Sequence, residues 1–321
     1  MPITVVGSIA FDTVRTPFGE RERMLGGAAV HFSLAASFFD EVRVVGPVGE
    51  DFGERELDVL RGRGVDVSDV ERVPGGRTFF WEGEYGWDLN SRETIDTQLG
   101  VFEGFEPKLS ERSRSSEVLF LANIQPDLQV GVRRQLPGAR FTALDSMNLW
   151  IDIARESLLE AIGTVDCVIL NDAELRQLTG KPNLVSAARE VLSWKAGNAS
   201  GEFRGPSVIV AKQGEYGSAL ITREGFFALP AYPLETVIDP TGAGDSFAGG
   251  FVGYIAAHPQ EEIDEVLLRR AMAHATVLAS FNVEEFGTER LERLTGEEIH
   301  GRLRELHDMT RFSGAPLQLR G

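Results

Sequence analysis

The residues best suited to chemistry lie in one stretch, where a glycine-rich turn leads into a helix. Val237 and Ile238 are typical of the end of a buried strand, and the segment after Gly244 carries apolar side chains at helical spacing. The first N–H groups of a helix lack partners and its dipole adds partial positive charge, so the segment is predicted to attract anions such as phosphate. Gly242 and Gly244 let the backbone approach such a ligand closely.

A carboxylate stands in the middle of this predicted anion site. Asp245 falls in the first helical turn, where its negative charge would repel a phosphate that was simply bound. The conflict disappears if a phosphoryl group is being transferred, because the amides then stabilise developing charge while Asp245 accepts the proton of an attacking hydroxyl. The alternative is an ordinary helix start in which Thr241 or Asp245 acts as the cap.

The whole run from Asp239 to Phe247 resembles a signature of the ribokinase-like (PfkB) family of carbohydrate and nucleoside kinases, and it matches without a gap. The resemblance implies that Asp245 is the catalytic base. It also implies an anion hole formed by three consecutive residues, Gly242, Ala243 and Gly244. ATP and Mg²⁺ are the cofactors that the resemblance implies, and whether a monovalent cation is also required stays open.

Two other segments supply candidates for binding the acceptor. Asp12 follows a short strand over 3–7, at the edge where open α/β sheets bind ligands, although a turn residue would also fit. Gly26 and Gly27 begin a segment that resembles the family's first signature, Gly-Gly-x-x-x-Asn, with His31 in place of the usual Asn. A histidine is larger and titratable, so the usual substrate does not carry over with it, and a packed helix histidine is the alternative.

Strand ends farther along the chain provide candidates for the nucleotide and its metal. Asn171 and Glu174 match the family's Asn-x-x-Glu motif, which by resemblance organises magnesium and the phosphates, with Glu174 acting through water. A helix cap would explain the same spacing. Asp145 is expected near the substrate by resemblance, and for Lys212 a solvated side chain is an alternative to phosphate contact. The candidates for nucleotide binding beyond that motif are Lys212, Gly214, Gly217, Thr241 and His274.

Segments of helix and strand length alternate along most of the chain, which favours an α/β fold. Together with the resemblance, this predicts a ribokinase-like, doubly wound and mostly parallel sheet with helices on both faces. We expect a single kinase domain over residues 1–310 and a tail over 311–321. One helix is expected over 150–162, and residues 65–73 are expected to form a link.

Residues 77–100 show strand-like alternation with aromatic side chains around a polar turn, which predicts a hairpin. By resemblance, this hairpin and residues 12–25 form a small β-sheet lid over the acceptor. Trp81, Tyr85 and Trp87 could stack on a sugar or a nucleobase, or could pack against the lid of a second copy in a homodimer.

The composition limits the partners and the compartment. A net charge of −17, from 49 acidic against 32 basic residues, argues against nucleic acid or an anionic membrane and leaves a small molecule as the expected partner. The single cysteine, Cys167, cannot form an internal disulfide, and we expect neither a signal peptide nor a membrane span, so a cytoplasmic protein is predicted. Gly180 and Lys181 lack the other residues of a P-loop. Phe247 occupies the third glycine position of a dinucleotide-binding fingerprint, which argues against an oxidoreductase.

These observations predict transfer of the ATP γ-phosphoryl group to a hydroxymethyl oxygen of a sugar, with Asp245 as the base. A nucleoside acceptor is the main alternative, since His31 and the lid aromatics suit either acceptor. A non-catalytic sugar sensor on the same fold is a further alternative, but a sensor has no use for a base.

Overall fold

The computed structural model describes residues 1–194, 205–311 and 314, so the tail predicted at 311–321 lies outside the described residues except for two of them. The strands are β1 (Ile3–Val6), β2 (Ala10–Thr16), β3 (Gly19–Gly26), β4 (Val42–Val48), β5 (Asp66–Arg72), β6 (Phe79–Tyr85), β7 (Arg92–Gln98), β8 (Val118–Leu121), β9 (Phe141–Asp145), β10 (Cys167–Asn171), β11 (Val208–Lys212), β12 (Ser218–Thr222) and β13 (Phe226–Leu229). The helices are α1 (Ala28–Ala36), α2 (Glu54–Gly62), α3 (Glu111–Arg114), α4 (Pro126–Gln135), α5 (Asn148–Ile153), α6 (Arg155–Ile162), α7 (Asp172–Thr179), α8 (Leu184–Ser193), α9 (Ala243–Ala256), α10 (Glu265–Asn282), α11 (Glu289–Arg293) and α12 (Gly296–Thr310). Within these ranges, none of the helices combines the length and the apolarity that a membrane span requires.

A nine-stranded sheet forms the centre of the fold, in the order β13-β12-β11-β10-β9-β8-β1-β4-β5. The strands from β11 to β5 pair parallel, whereas β12 and β13 are antiparallel at one edge. One apolar core includes side chains of α1, α9 and α10, and a second includes side chains of α4, α6, α7 and α8. Strands such as β8 are uniformly buried because helices cover both faces of the sheet. The predicted doubly wound, mostly parallel sheet is therefore confirmed.

The strand order reverses at β1, which pairs with β8 on one side and β4 on the other. At such a point the connections leave toward opposite faces and open a crevice beyond the carboxyl ends of the strands. Asp145, Asn171 and Lys212 are the last residues of three neighbouring parallel strands, β9, β10 and β11. Three predicted site residues therefore share one edge of the sheet.

Close packing of α9 against α1 sets the position of the predicted base. A Cβ at Gly249 would overlap the carbonyl oxygen of Phe32 in α1, so a glycine is what lets the two helices touch. Phe32 in turn stacks on Phe120 of β8, with ring centroids 4.2 Å apart. The two helices and the sheet thus form one packed unit that supports the N-terminus of α9.

A second, four-stranded sheet has the order β3-β2-β6-β7. Its inner strands β2 and β6 pair parallel, and the outer pairs are antiparallel. The strands fall within 10–26 and 79–98, at the segments expected to form a lid over 12–25 and 77–100. The small sheet is confirmed, whereas its action as a lid stays a prediction.

Three local predictions are wrong. Val237 and Ile238 do not end a buried strand but lie in an irregular, partly buried segment between β13 and α9. Residues 66–72 form the edge strand β5 beside β4 instead of a link, and the strand is hard to recognise because it is at most half-buried and rich in charge. The helix expected over 150–162 is interrupted at Ala154, whose φ of −138° and ψ of 36° separate α5 from α6. The interruption lets Trp150 donate a hydrogen bond from Nε1 to Asn123 Oδ1 while Leu158 packs into the core.

Candidate active site

The turn before α9 presents the first amides of that helix. Gly242 is the N-cap with φ +75°, a conformation that glycine adopts without strain, and it has no side chain that could cap the helix. Asp239 fixes the turn, since Oδ1 accepts the N–H of Thr241 at 2.8 Å and Oδ2 accepts the N–H of Gly287 at 2.9 Å. No side chain caps Gly242, but the N–H of Ala243 already donates to the carbonyl oxygen of Pro240 at 3.2 Å, so the amides of Gly242 and Gly244 are the ones suited to an anion.

Asp245 lies partly buried in the first turn of α9. Burial is the main cause that raises its pKa from 3.8 to about 7, Asp145 adds to the rise, and Lys212 opposes it. A carboxyl group with this pKa can take a proton from a hydroxyl near neutral pH and release it again. Its environment suits the predicted catalytic base.

An ion pair lies beside the anion hole. Nζ of Lys212 is 2.9 Å from Oδ2 of Asp145, and both side chains are largely buried. Burial disfavours the charged ammonium, but Asp145 and Glu174 together raise the pKa of Lys212 above its ordinary value, so the side chain stays charged. A Cβ on Gly244 would lie 3.0 Å from Nζ, which places this charge next to the amides of the anion hole. Lys212 is therefore in position to contact an anion bound there.

Asn171 and Glu174 form a reciprocal cap at the start of α7. Oδ1 of Asn171 accepts the N–H of Glu174 at 2.7 Å, and Oε2 of Glu174 accepts the N–H of Asn171 at 2.8 Å. Burial raises the pKa of Glu174 to about 7, Lys212 opposes this, and Asp145 adds to it. The cap uses only Oε2, so Oε1 could still bind a magnesium-bound water, as the resemblance implies.

In the described ranges, no group of three or more His, Cys, Asp or Glu side chains is arranged to hold a metal ion. The described side chains can therefore offer magnesium individual ligands, not a complete protein cage. Oxygen ligands supplemented by water and phosphate are the usual arrangement for this ion. Glu174, at the edge of the sheet beside Lys212, fits that arrangement.

Asp12, the predicted acceptor-binding carboxylate, is buried in β2. Burial raises its pKa to about 7, Asp239 and Asp245 add to the rise, and a hydrogen bond from the backbone of Gly27 opposes it. A Cβ on Gly26 would overlap the Asp12 carboxylate, so the two predicted glycines shape the space around it. The influence of Asp245 on Asp12 shows that the structure brings the predicted base and this carboxylate together.

His31 is fully enclosed in the first half of α1, with 1% of its surface exposed. Its Nδ1 lies 3.0 Å from Oδ1 of Asn282, and its ring fills the space that a Cβ on Gly242 would occupy. Burial lowers the pKa of His31 to about 4, so the ring is neutral at physiological pH. In the structure His31 contacts Asn282 and Gly242. Its contact with the substrate stays a prediction.

Two lid residues that sequence reasoning did not select as site residues reach the site. The hydroxyl of Thr241 lies 3.3 Å from the hydroxyl of Tyr85, which joins β6 to the anion-hole turn. Arg92 pairs with Tyr85 across the β6–β7 hairpin, and its charge lowers the pKa of Asp12 and of Asp245. Tyr85 was noted only for stacking, and no sequence signal distinguishes Arg92 from other exposed lid arginines.

The tip of the lid hairpin meets the turn predicted to bind the nucleotide. Nδ2 of Asn90 donates to Oε1 of Glu215 at 3.2 Å, in the helical turn Gly214–Tyr216. Gly217 follows with φ +102°, and a Cβ there would overlap the carbonyl oxygen of Leu229. The small sheet therefore extends from the anion-hole turn to the predicted nucleotide turn.

His274 lies on α10 among aromatic side chains. Its ring stacks on Tyr254 with centroids 4.1 Å apart and meets Phe39 edge-on, and Nδ1 faces the carbonyl oxygen of Arg270 at 2.9 Å. Tyr254 is near the C-terminus of α9, whereas Asp245 is at the N-terminus of that helix. The structure thus does not bring His274 to the carboxylates, and its predicted place near the nucleotide base stays a prediction.

Comparison with known proteins agrees with this geometry. Residues 139–293 match the model of the pfkB family carbohydrate kinases. The chain is 31% identical to a cytidine kinase from Thermococcus kodakarensis over 84% of this chain and 95% of the relative. It is 30% identical to a nucleoside kinase from Methanothermobacter thermautotrophicus, over 92% of this chain and 94% of that relative. It is 26% identical to a ribokinase from Lactococcus lactis, over 95% of this chain and 97% of that relative.

Solved structures support the fold. A nucleoside kinase from Methanocaldococcus jannaschii, described as an archaeal member of the ribokinase family, aligns with a TM-score of 0.73 over 95% of this chain and 98% of that one, at 20% identity. An adenosine kinase from Sinorhizobium meliloti aligns with a TM-score of 0.77 over 94% and 98%, at 18% identity. The prediction of a ribokinase-like, ATP-dependent kinase is confirmed, and the chain belongs to the pfkB family of carbohydrate kinases.

Proposed function

We propose that this kinase transfers the γ-phosphoryl group of ATP to the hydroxymethyl oxygen of a nucleoside. The observation that carries the proposal is the placement of Asp245, with its raised pKa, beside the first amides of α9 and the ammonium of Lys212. A base, an anion hole and a cation in one crevice are the parts that phosphoryl transfer to an alcohol needs.

In the proposed reaction, the Asp245 carboxylate accepts the proton of the acceptor hydroxyl while the oxygen of that hydroxyl attacks the γ-phosphorus. The bond between this phosphorus and the bridging oxygen breaks, and ADP leaves with the electron pair of that bond. The amides of the anion hole and the adjacent ammonium of Lys212 would stabilise the charge that develops on the transferring group. Mg²⁺, approached by Glu174 through water, would neutralise charge on the phosphates.

The small sheet would act as the lid of this site. Tyr85 contacts the anion-hole turn, Asn90 contacts Glu215, and the charge of Arg92 reaches both Asp12 and Asp245. A lid in this place would exclude water, whose attack on the γ-phosphorus would otherwise hydrolyse ATP. Arg92 would bring positive charge toward the transferring phosphoryl group.

Two relatives favour a nucleoside as the acceptor, since the cytidine kinase and the nucleoside kinase are the ones at 30% identity or above among those described. A free pentose is the second candidate and is favoured by the ribokinase from Lactococcus lactis, at 26% identity. Both acceptors can present a hydroxymethyl group on a furanose ring, so the same base would serve either.

The test is release of ADP from Mg-ATP with a panel of nucleosides, pentoses, hexoses and phosphorylated sugars. We expect turnover with one or more nucleosides and much slower turnover with free sugars. Turnover confined to sugars would transfer the proposal to the second candidate. Failure to turn over any acceptor, with binding still seen by calorimetry, would contradict the proposal and favour a sensor.

Two variants make the assay specific for the site. Asp245→Asn should lower kcat by about 10²–10⁴-fold, which is the usual contribution of a positioned base. Asp127→Asn is the matched control, because Asp127 also lies in the first turn of a helix, α4, but is exposed. Equal activity of the Asp245 variant and the control would rule out Asp245 as the base.

A further inference from the structure

Three buried side chains and one backbone carbonyl group form a hydrogen-bonded set next to the anion hole. It joins His31 of α1, Ser246 of α9 and Asn282 of α10 to the backbone of Thr241 in the turn. The three side chains are at most 1% exposed. We call this set the turn anchor.

The hydrogen bonds of Asn282 fix its orientation. Nδ2 donates to the carbonyl oxygen of Thr241 at 2.7 Å, and a carbonyl oxygen can only accept. Oδ1 of Asn282 is therefore the acceptor for the hydroxyl of Ser246 at 2.9 Å and for Nδ1 of His31 at 3.0 Å. His31 must then carry its proton on Nδ1 and a lone pair on Nε2.

The second ring nitrogen agrees with this tautomer. Nε2 of His31 is buried and has no hydrogen-bond partner among the described residues. A proton on Nε2 would leave a buried donor unsatisfied, whereas a lone pair costs less in this environment. The low pKa of His31, caused mainly by burial, is consistent with a ring that stays neutral.

The imidazole also packs against the anion hole itself. The ring occupies the position that a Cβ on Gly242 would take, so the ring and the Cα of Gly242 are in contact. Gly242 is the N-cap of α9, and the amides that follow it form the predicted anion hole. A shift of the ring would therefore be transmitted to amides whose placement governs stabilisation of the transferring group.

We infer that His31 and Asn282 are positioning residues that hold the anion-hole turn in place, and that His31 does not act by contacting the acceptor. This inference rests on the proposed phosphoryl transfer for its effect on activity. In place of the substrate contact expected from the first signature, it assigns His31 a structural contact with Asn282 and Gly242.

Two amide substitutions separate the ring nitrogens. In His31→Asn the side-chain amide nitrogen can take the place of Nδ1, whereas in His31→Gln it reaches the place of Nε2. Both variants lose ring area, so the difference between them isolates the hydrogen bond to Asn282. We expect His31→Asn to keep kcat within about threefold, and His31→Gln to lower kcat about tenfold with the acceptor KM within about twofold.

The opposite order of activities would overturn the inference, and so would a rise of about tenfold in the acceptor KM of either variant with kcat unchanged. Asn282→Asp keeps an acceptor for His31 but removes the donor to Thr241, and we expect kcat to fall about tenfold in this variant as well. An unchanged kcat in Asn282→Asp would argue against the turn anchor.

A spectroscopic measurement on the unmodified protein makes the test independent of activity and of how the variants fold. Imidazole ¹⁵N shifts of His31 should show a protonated Nδ1 and an unprotonated Nε2 from pH 8 down to about 5, because its pKa is lowered to about 4. A proton on Nε2 would refute the turn anchor. If the enzyme turned over no acceptor, the proposed function would fail, whereas this measurement would still decide the tautomer.

Discussion

Replacing Asp245 by asparagine should stabilise the ligand-free protein at alkaline pH, although it removes the proposed base. The folded protein raises the pKa of Asp245 from 3.8 to about 7, with burial as the main cause. A folded-state pKa above the unfolded value means that the folded protein binds the extra proton. The contribution of protonated Asp245 to the free energy of unfolding is fully present below pH 3.8 and is lost as the pH rises through about 7.

The magnitude follows from the difference in pKa. A difference of about 3 corresponds to ~4 kcal/mol when the group is fully ionised, at 1.36 kcal/mol per unit. Because Asp245 is only partly buried and solvent screens its charge, we take about half of this value, ~2 kcal/mol at pH 8.5. Asparagine cannot ionise, so Asp245→Asn should gain that amount at pH 8.5 and under ~1 kcal/mol at pH 5.

The assay is thermal unfolding of both proteins without ligand at pH 5 and pH 8.5. A gain of ~2 kcal/mol corresponds to a rise of about 3 °C in Tm for a chain of this size. Asp127→Asn, on the exposed first turn of α4, should show no such pH-dependent gain. An equal change in Tm at both pH values, or a loss at pH 8.5, would refute the reasoning that burial raises this pKa.

Three further substitutions test other parts of the site. Lys212→Met should lower kcat about 10²-fold. It should also move the rising limb of the kcat–pH profile above pH 7, because Lys212 lowers the pKa of Asp245 in the unmodified protein. A rising limb that stays in place would contradict the interaction between the two charges. Arg92→Gln should lower kcat about tenfold, whereas Arg21→Gln, at an exposed position of the same small sheet, should not. Equal kcat values for the two variants would show that Arg92 does not act in the site. Gly249→Ala should destabilise the protein by ~1–3 kcal/mol in denaturant unfolding, because its Cβ would overlap the backbone of α1, and full stability would show that the helices can separate freely.

The part of the site that the sequence predicted best is local in the chain. Asp239, Gly242 and Asp245 lie within seven residues, and their turn, cap and helix chemistry is set by near neighbours. The spacing of Asn171 and Glu174 is local as well, and the structure contains the helix cap that was the alternative to their predicted magnesium role. Alternation of helices and strands likewise predicted the doubly wound sheet.

What the sequence did not predict depends on contacts between distant segments. His31 and Asn282 are 251 residues apart, so no local pattern shows that they share a hydrogen bond. Arg92 is an exposed residue on a polar strand, and it becomes notable only when the small sheet places it near the carboxylates. Strand β5 was missed because its pairing with β4, not its own apolar pattern, makes it a strand.

The carboxyl groups of this site explain how an acidic crevice can serve a reaction between anions. Asp12, Glu174 and Asp245 each have a pKa raised to about 7, with burial as the main cause in all three. Below about pH 7 these carboxyl groups therefore keep protons that they would otherwise lose near pH 4, and the negative charge of the crevice is correspondingly lower. In the proposed reaction, magnesium arrives with the nucleotide and favours the ionised carboxylates, so that Asp245 becomes a base when the phosphoryl donor is in place. The same burial that destabilises the ligand-free fold at high pH would then restrict proton transfer to the complex that can use it.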